Sequence, residues 1–144
     1  MKHFGVAIIF LMALALSACG GSSSNNTING NWTATLTGTQ DLSFTVSLTQ
    51  SGSIVSVTNL SFTTSQSCFD TGSTATGTFT LAGNTGGVTT GTFGMTIQSP
   101  ASNSNGSNTL VLAGTLTNNS ISGNWTLNGN GLGCTGSGTF TMAG

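Results

Sequence analysis

The chain has 144 residues, of which 2% are charged, against about 25% in an ordinary globular domain. Lys2 and His3 open the sequence, Asp41 and Asp70 are its only acids, and no Lys, Arg, His, Glu or Tyr follows residue 3. This excludes His-assisted nucleophiles, Schiff-base chemistry and phosphate capture by basic side chains, and equally nucleic-acid binding, which rests on neutralising phosphates. No catalytic residue, cofactor or metal site is expected.

Met1-Lys2-His3 reads as a short basic segment, and Phe4 to Leu16 is an almost unbroken apolar run. At about 13 residues the run is too short to span a bilayer as a helix, which takes about 20, and it suits the core of an export signal. Leu16-Ser17-Ala18-Cys19-Gly20 resembles the lipobox of bacterial lipoproteins. The resemblance implies cleavage before Cys19, a diacylglycerol on its thiol and, commonly, an acyl group on its new amine. Two or more acyl chains anchor stably where one does not. Residues 1–18 are therefore expected to be a signal peptide and 19–28 a lipidated Cys with a Gly/Ser/Asn tether. The expected location is the cell envelope. Gly20 in place of Asp after the lipidated Cys favours the outer membrane over the inner one.

From residue 29 to 144 the sequence predicts one all-β domain. Trp32, Ala34 and Leu36 alternate with Thr33, Thr35 and Thr37, and Leu42, Phe44, Val46 and Leu48 alternate with Ser and Thr, the period of a half-buried strand. In the third run Val55 and Val57 lie on one parity and Leu60 and Phe62 on the other, which a bulge near Thr58-Asn59 reconciles. Five further runs place Gly77, Phe79 and Leu81; Gly91, Phe93, Met95 and Ile97; Leu110, Leu112, Gly114 and Leu116; Ile121, Gly123, Trp125 and Leu127; and Cys134, Gly136, Gly138, Phe140 and Met142 inward. Gly-Thr-Phe recurs at 77–79, 91–93 and 138–140, and Gly-Asn-Trp-Thr at 30–33 and 123–126. The unequal spacing points to successive hairpins with paired small and large core residues rather than to a solenoid.

Connections around residues 50–53, 83–87 and 118–119 read as tight turns, and those at 38–41, 63–73, 99–108 and 128–133 as longer loops. In an up-and-down arrangement the tight turns share one end with the tether and the loops share the other. That places Cys68 and Cys134 on one rim. With Cys19 assigned to lipid they form an even pair in an oxidising compartment; the alternative is two buried thiols. The expected architecture is an eight-stranded antiparallel up-and-down β-barrel, whose closure removes aggregation-prone edges, with a β-sandwich as the alternative.

Gly30-Asn31-Trp32 on the first strand resembles the Gly-x-Trp that opens lipocalin and avidin-type barrels. No basic residue is present to close over the Trp, and the avidin biotin-binding side chains have no counterparts. The chain is more similar to small Thr/Gly-rich bacterial lipoproteins of unassigned function. Candidate rim or ligand residues are Asp41 and Asp70, which as the only acids either share a carboxylate site or cap turns, and Trp32 and Trp125, which either stack a ligand ring or plug the tether end of the barrel. The expected function is that of a non-enzymatic lipid-anchored envelope protein binding a small apolar ligand or an envelope partner. The alternative is a structural surface protein with a solid core.

Overall fold

Apolar side chains at every second position are buried together when one sheet curls around them or two sheets pack face to face. The computed structural model describes residues 27–144 other than 66, 105 and 132, so Lys2, His3 and Cys19 lie outside the described residues. Eight strands run in chain order: β1 (Gly30–Gly38), β2 (Leu42–Ser51), β3 (Ile54–Thr64), β4 (Thr74–Thr85), β5 (Val88–Gln98), β6 (Asn108–Thr117), β7 (Ser120–Gly129) and β8 (Gly136–Ala143). Each pairs antiparallel with its neighbour, and β1 pairs with β8 to close the barrel. The up-and-down barrel is thus the fold, and the sandwich is not formed.

Tight turns at Gly52-Ser53, Gly86-Gly87 and Asn118-Asn119 lie at the end where β1 begins. Gly86 and Gly87 both have positive φ, the conformation that a two-residue type I′ hairpin requires. Ile28, expected in the tether, is instead 1% exposed. Its backbone N–H donates to Gln50 Oε1 at 3.2 Å. The domain therefore begins earlier than composition suggests.

The parity switch in β3 is a bulge: Thr45 faces Ser61 and Ser47 faces Thr58, with Asn59 at φ 52°. Two further register shifts, at Thr63 against β2 and at Ala82 against β5, were not foreseen. Leu81 is another departure. It keeps the inward parity of Phe79, but its strand partner β3 starts only at Ile54, opposite Thr78. Leu81 therefore overhangs the barrel and is 39% exposed. Cys134 likewise lies in the loop before β8 rather than on it.

The interior is filled by large side chains laid over glycines of the neighbouring strand or of the strand beyond it. Phe79 of β4 lies over Gly91 of β5, Phe140 of β8 over Gly114 of β6, and Val55 of β3 over Gly77 of β4. Trp125 of β7 passes Gly138 and Gly136 of β8, and its Nε1–H donates to the Thr37 carbonyl of β1 at 3.1 Å. One side chain thus spans the closing seam. This places the Trp125 indole toward the loop end, not the tether end, because β7 begins at Ser120 and Trp125 is its sixth residue. Trp32 does sit at the tether end. Its Nε1–H donates to the Ile28 carbonyl at 2.9 Å, and Gly144 lies against its ring. The inward Leu, Ile, Phe, Trp and Met side chains of β1, β2 and β5–β8 are each at most 5% exposed.

The outer face carries Thr, Ser and Asn, with cross-strand pairs such as Thr35–Thr141, Thr76–Thr96 and Thr92–Thr115. A lipid-facing barrel wall has the opposite pattern, apolar outward. Among the described residues no helix is long and apolar enough to cross a membrane.

A methyl group on Gly91 would strike the Phe79 ring and lie 2.9 Å from the Thr80 carbonyl oxygen. Gly91→Ala is expected to lower unfolding stability by about 1–3 kcal/mol, the cost of overpacking a filled core. Gly83→Ala, where the same methyl meets nothing within 4 Å, should change it by no more than about 0.5 kcal/mol. Urea unfolding monitored by Trp fluorescence compares the two.

Candidate functional site

Four loops make the far rim, and side-chain amides and one covalent bond tie them together. Cys68 in the β3–β4 loop and Cys134 in the β7–β8 loop form a disulfide, with Cα atoms 5.5 Å apart and a sequence separation of 66. The expected pairing is the one formed. The Cys68 carbonyl accepts hydrogen bonds from Nδ2 of Asn103 at 2.8 Å and of Asn108 at 2.7 Å, which attaches the β5–β6 connection. Gln40 Nε2 donates to the carbonyls of Gly133 and Thr135, and Ser137 N–H donates to Thr39 Oγ1 at 2.9 Å, which attaches the β1–β2 loop. Asn108 is fully buried, with Oδ1 against Gly129, where any Cβ would collide with it.

This fastening matters because the wall has a weak place beneath it. β3 and β4 share three residue pairs, Ile54–Thr78, Val55–Gly77 and Ser56–Thr76, whereas β5 and β6 share nine. Toward the rim the two strands diverge, and the β3–β4 loop fills the gap. Phe69, 5% exposed, stacks on Phe62 with centroids 4.7 Å apart and planes 3° from parallel. Phe62 in turn meets the core residue Phe44 at 5.3 Å. Outside this stack lies a cleft of about 290 Å³ lined by Leu60, Ser61, Phe62, Ser65, Phe69, Asp70, Thr71, Gly72 and Ser73. The loop is held in shape by Ser73, whose N–H and hydroxyl both reach the Asp70 carbonyl oxygen, at 3.1 and 2.8 Å.

Of the candidate residues named from sequence, Asp70 is at this cleft. Asp41 lines a separate shallow groove on the wall with Thr35, Leu36, Thr37, Leu42, Ser43 and Thr64. The two carboxylates are not brought to one site, so neither a paired-carboxylate centre nor a shared cation site is built from them. Among the described residues no group of three or more His, Cys, Asp or Glu side chains is placed to hold a metal. Trp32 and Trp125 are core residues with their ring N–H groups satisfied. The cleft thus offers one carboxylate, several hydroxyls and an apolar floor. Its chemistry is hydrogen bonding and one negative charge.

Phe69, Asn103, Asn108 and Gln40 also belong to this region and were not singled out by sequence, and Phe62 was read there only as a strand residue. Asn and Gln in a Ser/Thr/Asn-rich chain carry no local signal, and Phe69 follows no strand period. Against family models, curated proteins and solved structures the chain finds no match.

Replacing both Cys68 and Cys134 with Ala should cost about 2–5 kcal/mol of unfolding stability. Asn108→Ala, which leaves the disulfide intact, should cost about 1–3 kcal/mol through its lost amide bond and the void left behind. Hydrogen exchange distinguishes a rim effect from a global one: the double Ala variant should lose protection first in residues 65–73, with β6 and β7 retaining theirs.

Proposed function

We propose that the protein is a non-enzymatic, lipid-anchored lipoprotein of the bacterial envelope whose barrel is a solid support and not a container. The observation that carries this reading is the filled interior, in which aromatic rings occupy the space above Gly91, Gly114 and Gly136. An eight-stranded barrel can either be filled by side chains or hold one small ligand, and here the side chains take the room. That removes support for a small apolar ligand inside the barrel and favours a structural or surface role.

Several features support an exported, anchored protein. The basic start, short apolar run and Leu16-Ser17-Ala18-Cys19 suit lipid attachment at Cys19. The Cys68–Cys134 disulfide suits an oxidising compartment. The outer wall of Thr, Ser and Asn hydrates without charge and offers few sites for electrostatic association. The separated acids and the lack of any imidazole or amine in the barrel support a role without catalysis. A second reading keeps an envelope partner or small polar molecule at the far rim. The cleft beside Asp70, with its apolar floor and hydroxyl lining, favours it, and the outer membrane is the preferred location under either reading.

Mass spectrometry of the protein extracted from its own membranes tests the anchor. The expected species begins at Cys19 and carries a diacylglyceryl group, and Cys19→Ala should abolish both the acyl mass and the processing. A mature species that starts elsewhere without lipid overturns the reading. Native spectra of the same sample should give the bare lipoprotein mass, and a stoichiometric co-purifying lipid or metabolite would favour a ligand-binding role instead.

A further inference from the structure

Asp41 and Asp70 are the charged side chains of the barrel domain, and no Lys, Arg or His in it pairs with either. Asp70 is the one that stands at the cleft beside the Phe62–Phe69 stack. Its main-chain carbonyl is taken by Ser73, whereas its exposed carboxylate accepts no hydrogen bond from any described residue. The floor beside it is apolar. Leu60 and Phe62 are half-buried, so part of each is open to the cleft they line. Hydroxyls, those of Ser61, Ser65 and Thr71 among them, complete the walls. A hydroxyl can turn to accept a hydrogen bond, and an ionised carboxylate can only accept. The cleft therefore combines acceptors, one negative charge and hydrocarbon in about 290 Å³, the lower end of the size range of small-molecule sites.

We propose that this cleft binds a small organic cation, a primary ammonium group on a short apolar body. The proposal deepens the reading of the far rim as a place for a small polar molecule and rests on it. Charge decides the sign of the ligand: an anion is repelled by Asp70 and finds no basic side chain in the barrel. A neutral molecule leaves the carboxylate without a countercharge. An ammonium N–H donates to the carboxylate, a charge-assisted bond stronger than a neutral one, and its remaining N–H groups suit the hydroxyls. The hydrocarbon body then covers the open parts of Leu60 and Phe62. The loop is already in place for this. Asp70 lies two residues after Cys68, which the disulfide and the amides of Asn103 and Asn108 fix, so binding orders little that is not ordered already. Asp41 differs in this respect: the leucines of its groove, Leu36 and Leu42, are at most 1% exposed, so neither is open to a ligand. Because one pair of charges drives the recognition at an open site, added salt should weaken it.

The test uses the mature chain 19–144 with Cys19→Ser, which holds every strand and both disulfide cysteines, in amide NMR titrations. Three probes of equal length are compared: n-butylammonium, 1-butanol and butyrate. Butylammonium should shift the amides of residues 60–62 and 69–73 saturably and bind at least about fivefold more tightly than 1-butanol. Butyrate should leave those amides unmoved. Asp70→Asn keeps the main-chain carbonyl that Ser73 uses and should bring butylammonium down to the level of 1-butanol. Asp41→Asn should leave its affinity unchanged, and amide spectra of both variants away from the substituted residue verify the fold. Equal affinity for butylammonium and 1-butanol in the native chain overturns the cation. So does an equal loss in the two Asp variants, which would mark diffuse attraction to a negatively charged protein. The alcohol separates this failure from that of the rim reading. Cleft shifts of the same size with 1-butanol overturn the cation alone, whereas no shift at these residues with any of the three probes overturns both.

Discussion

The bore of an eight-stranded barrel is fixed by strand number and stagger, and that constraint organises this molecule. The bore is too narrow for large side chains to point inward from every strand at one level, yet too wide for small ones to fill. The solution is to set several of the largest inward residues over glycines of nearby strands: Phe79 over Gly91, Phe140 over Gly114, Trp125 beside Gly138 and Gly136. The recurring Gly-Thr-Phe segments at 77–79 and 91–93 are a linear trace of this pairing, since Gly77 and Gly91 each supply a gap and, two residues on, a ring facing the same way. Tight packing in turn closes the sheet. Trp125 reaches across β8 to the Thr37 carbonyl, so the same side chain that fills the core ties β7 to β1 over the closing seam.

A cylinder filled in this way tolerates one irregular place, and the rim is arranged around it. The β3–β4 junction has the fewest strand pairs, and both bulges of β3 fall on its rim side. Bulges bend a strand and leave residues unpaired, so β3 turns away from β4 and the wall parts. Phe69 restores the lost apolar contact by stacking on Phe62. A loop residue holds such a position only if its backbone is fixed, and Cys68, the preceding residue, is fixed three ways: by the disulfide and by the amides of Asn103 and Asn108 on its carbonyl. The cleft beside Asp70 is a by-product of this repair, and its polar lining follows from the composition of the loop.

Much of this was legible in the sequence because strand period and cysteine count are strong signals. Alternation of Leu, Phe and Val with Thr and Ser located the strands, and the parity switch between Val57 and Leu60 located a bulge at Asn59. Loop lengths placed Cys68 and Cys134 on one rim. Other features left no trace. The extra residues at Thr63 and Ala82 fall where no apolar pair marks a change of parity. Ile28 is a lone apolar residue after a Gly/Ser/Asn run, so nothing local distinguishes it from the tether. Leu81 has the right parity, but its exposure depends on where the neighbouring strand begins, a non-local fact. Trp125 was set too near the tether end because its height depends on where β7 starts. The two acids fall in different loops, and only the path of each loop decides that they line separate depressions.

Neutrality then has a physical cost and a physical use. A protein that carries almost no charge lacks the repulsion that keeps molecules apart, so its own architecture must prevent association. Closure removes the sheet edges, and the Thr-rich wall covers the barrel with hydroxyls that pair across strands. The exception is the end that holds Ile54, Leu81 and Val88. If association were the only pressure, these positions would be the easiest to make polar, because none of them fills the core. They stand singly instead, Ile54 beside Thr78, Leu81 on the bore side of the hairpin and Val88 near its apex, and isolated apolar side chains make poor contact surfaces.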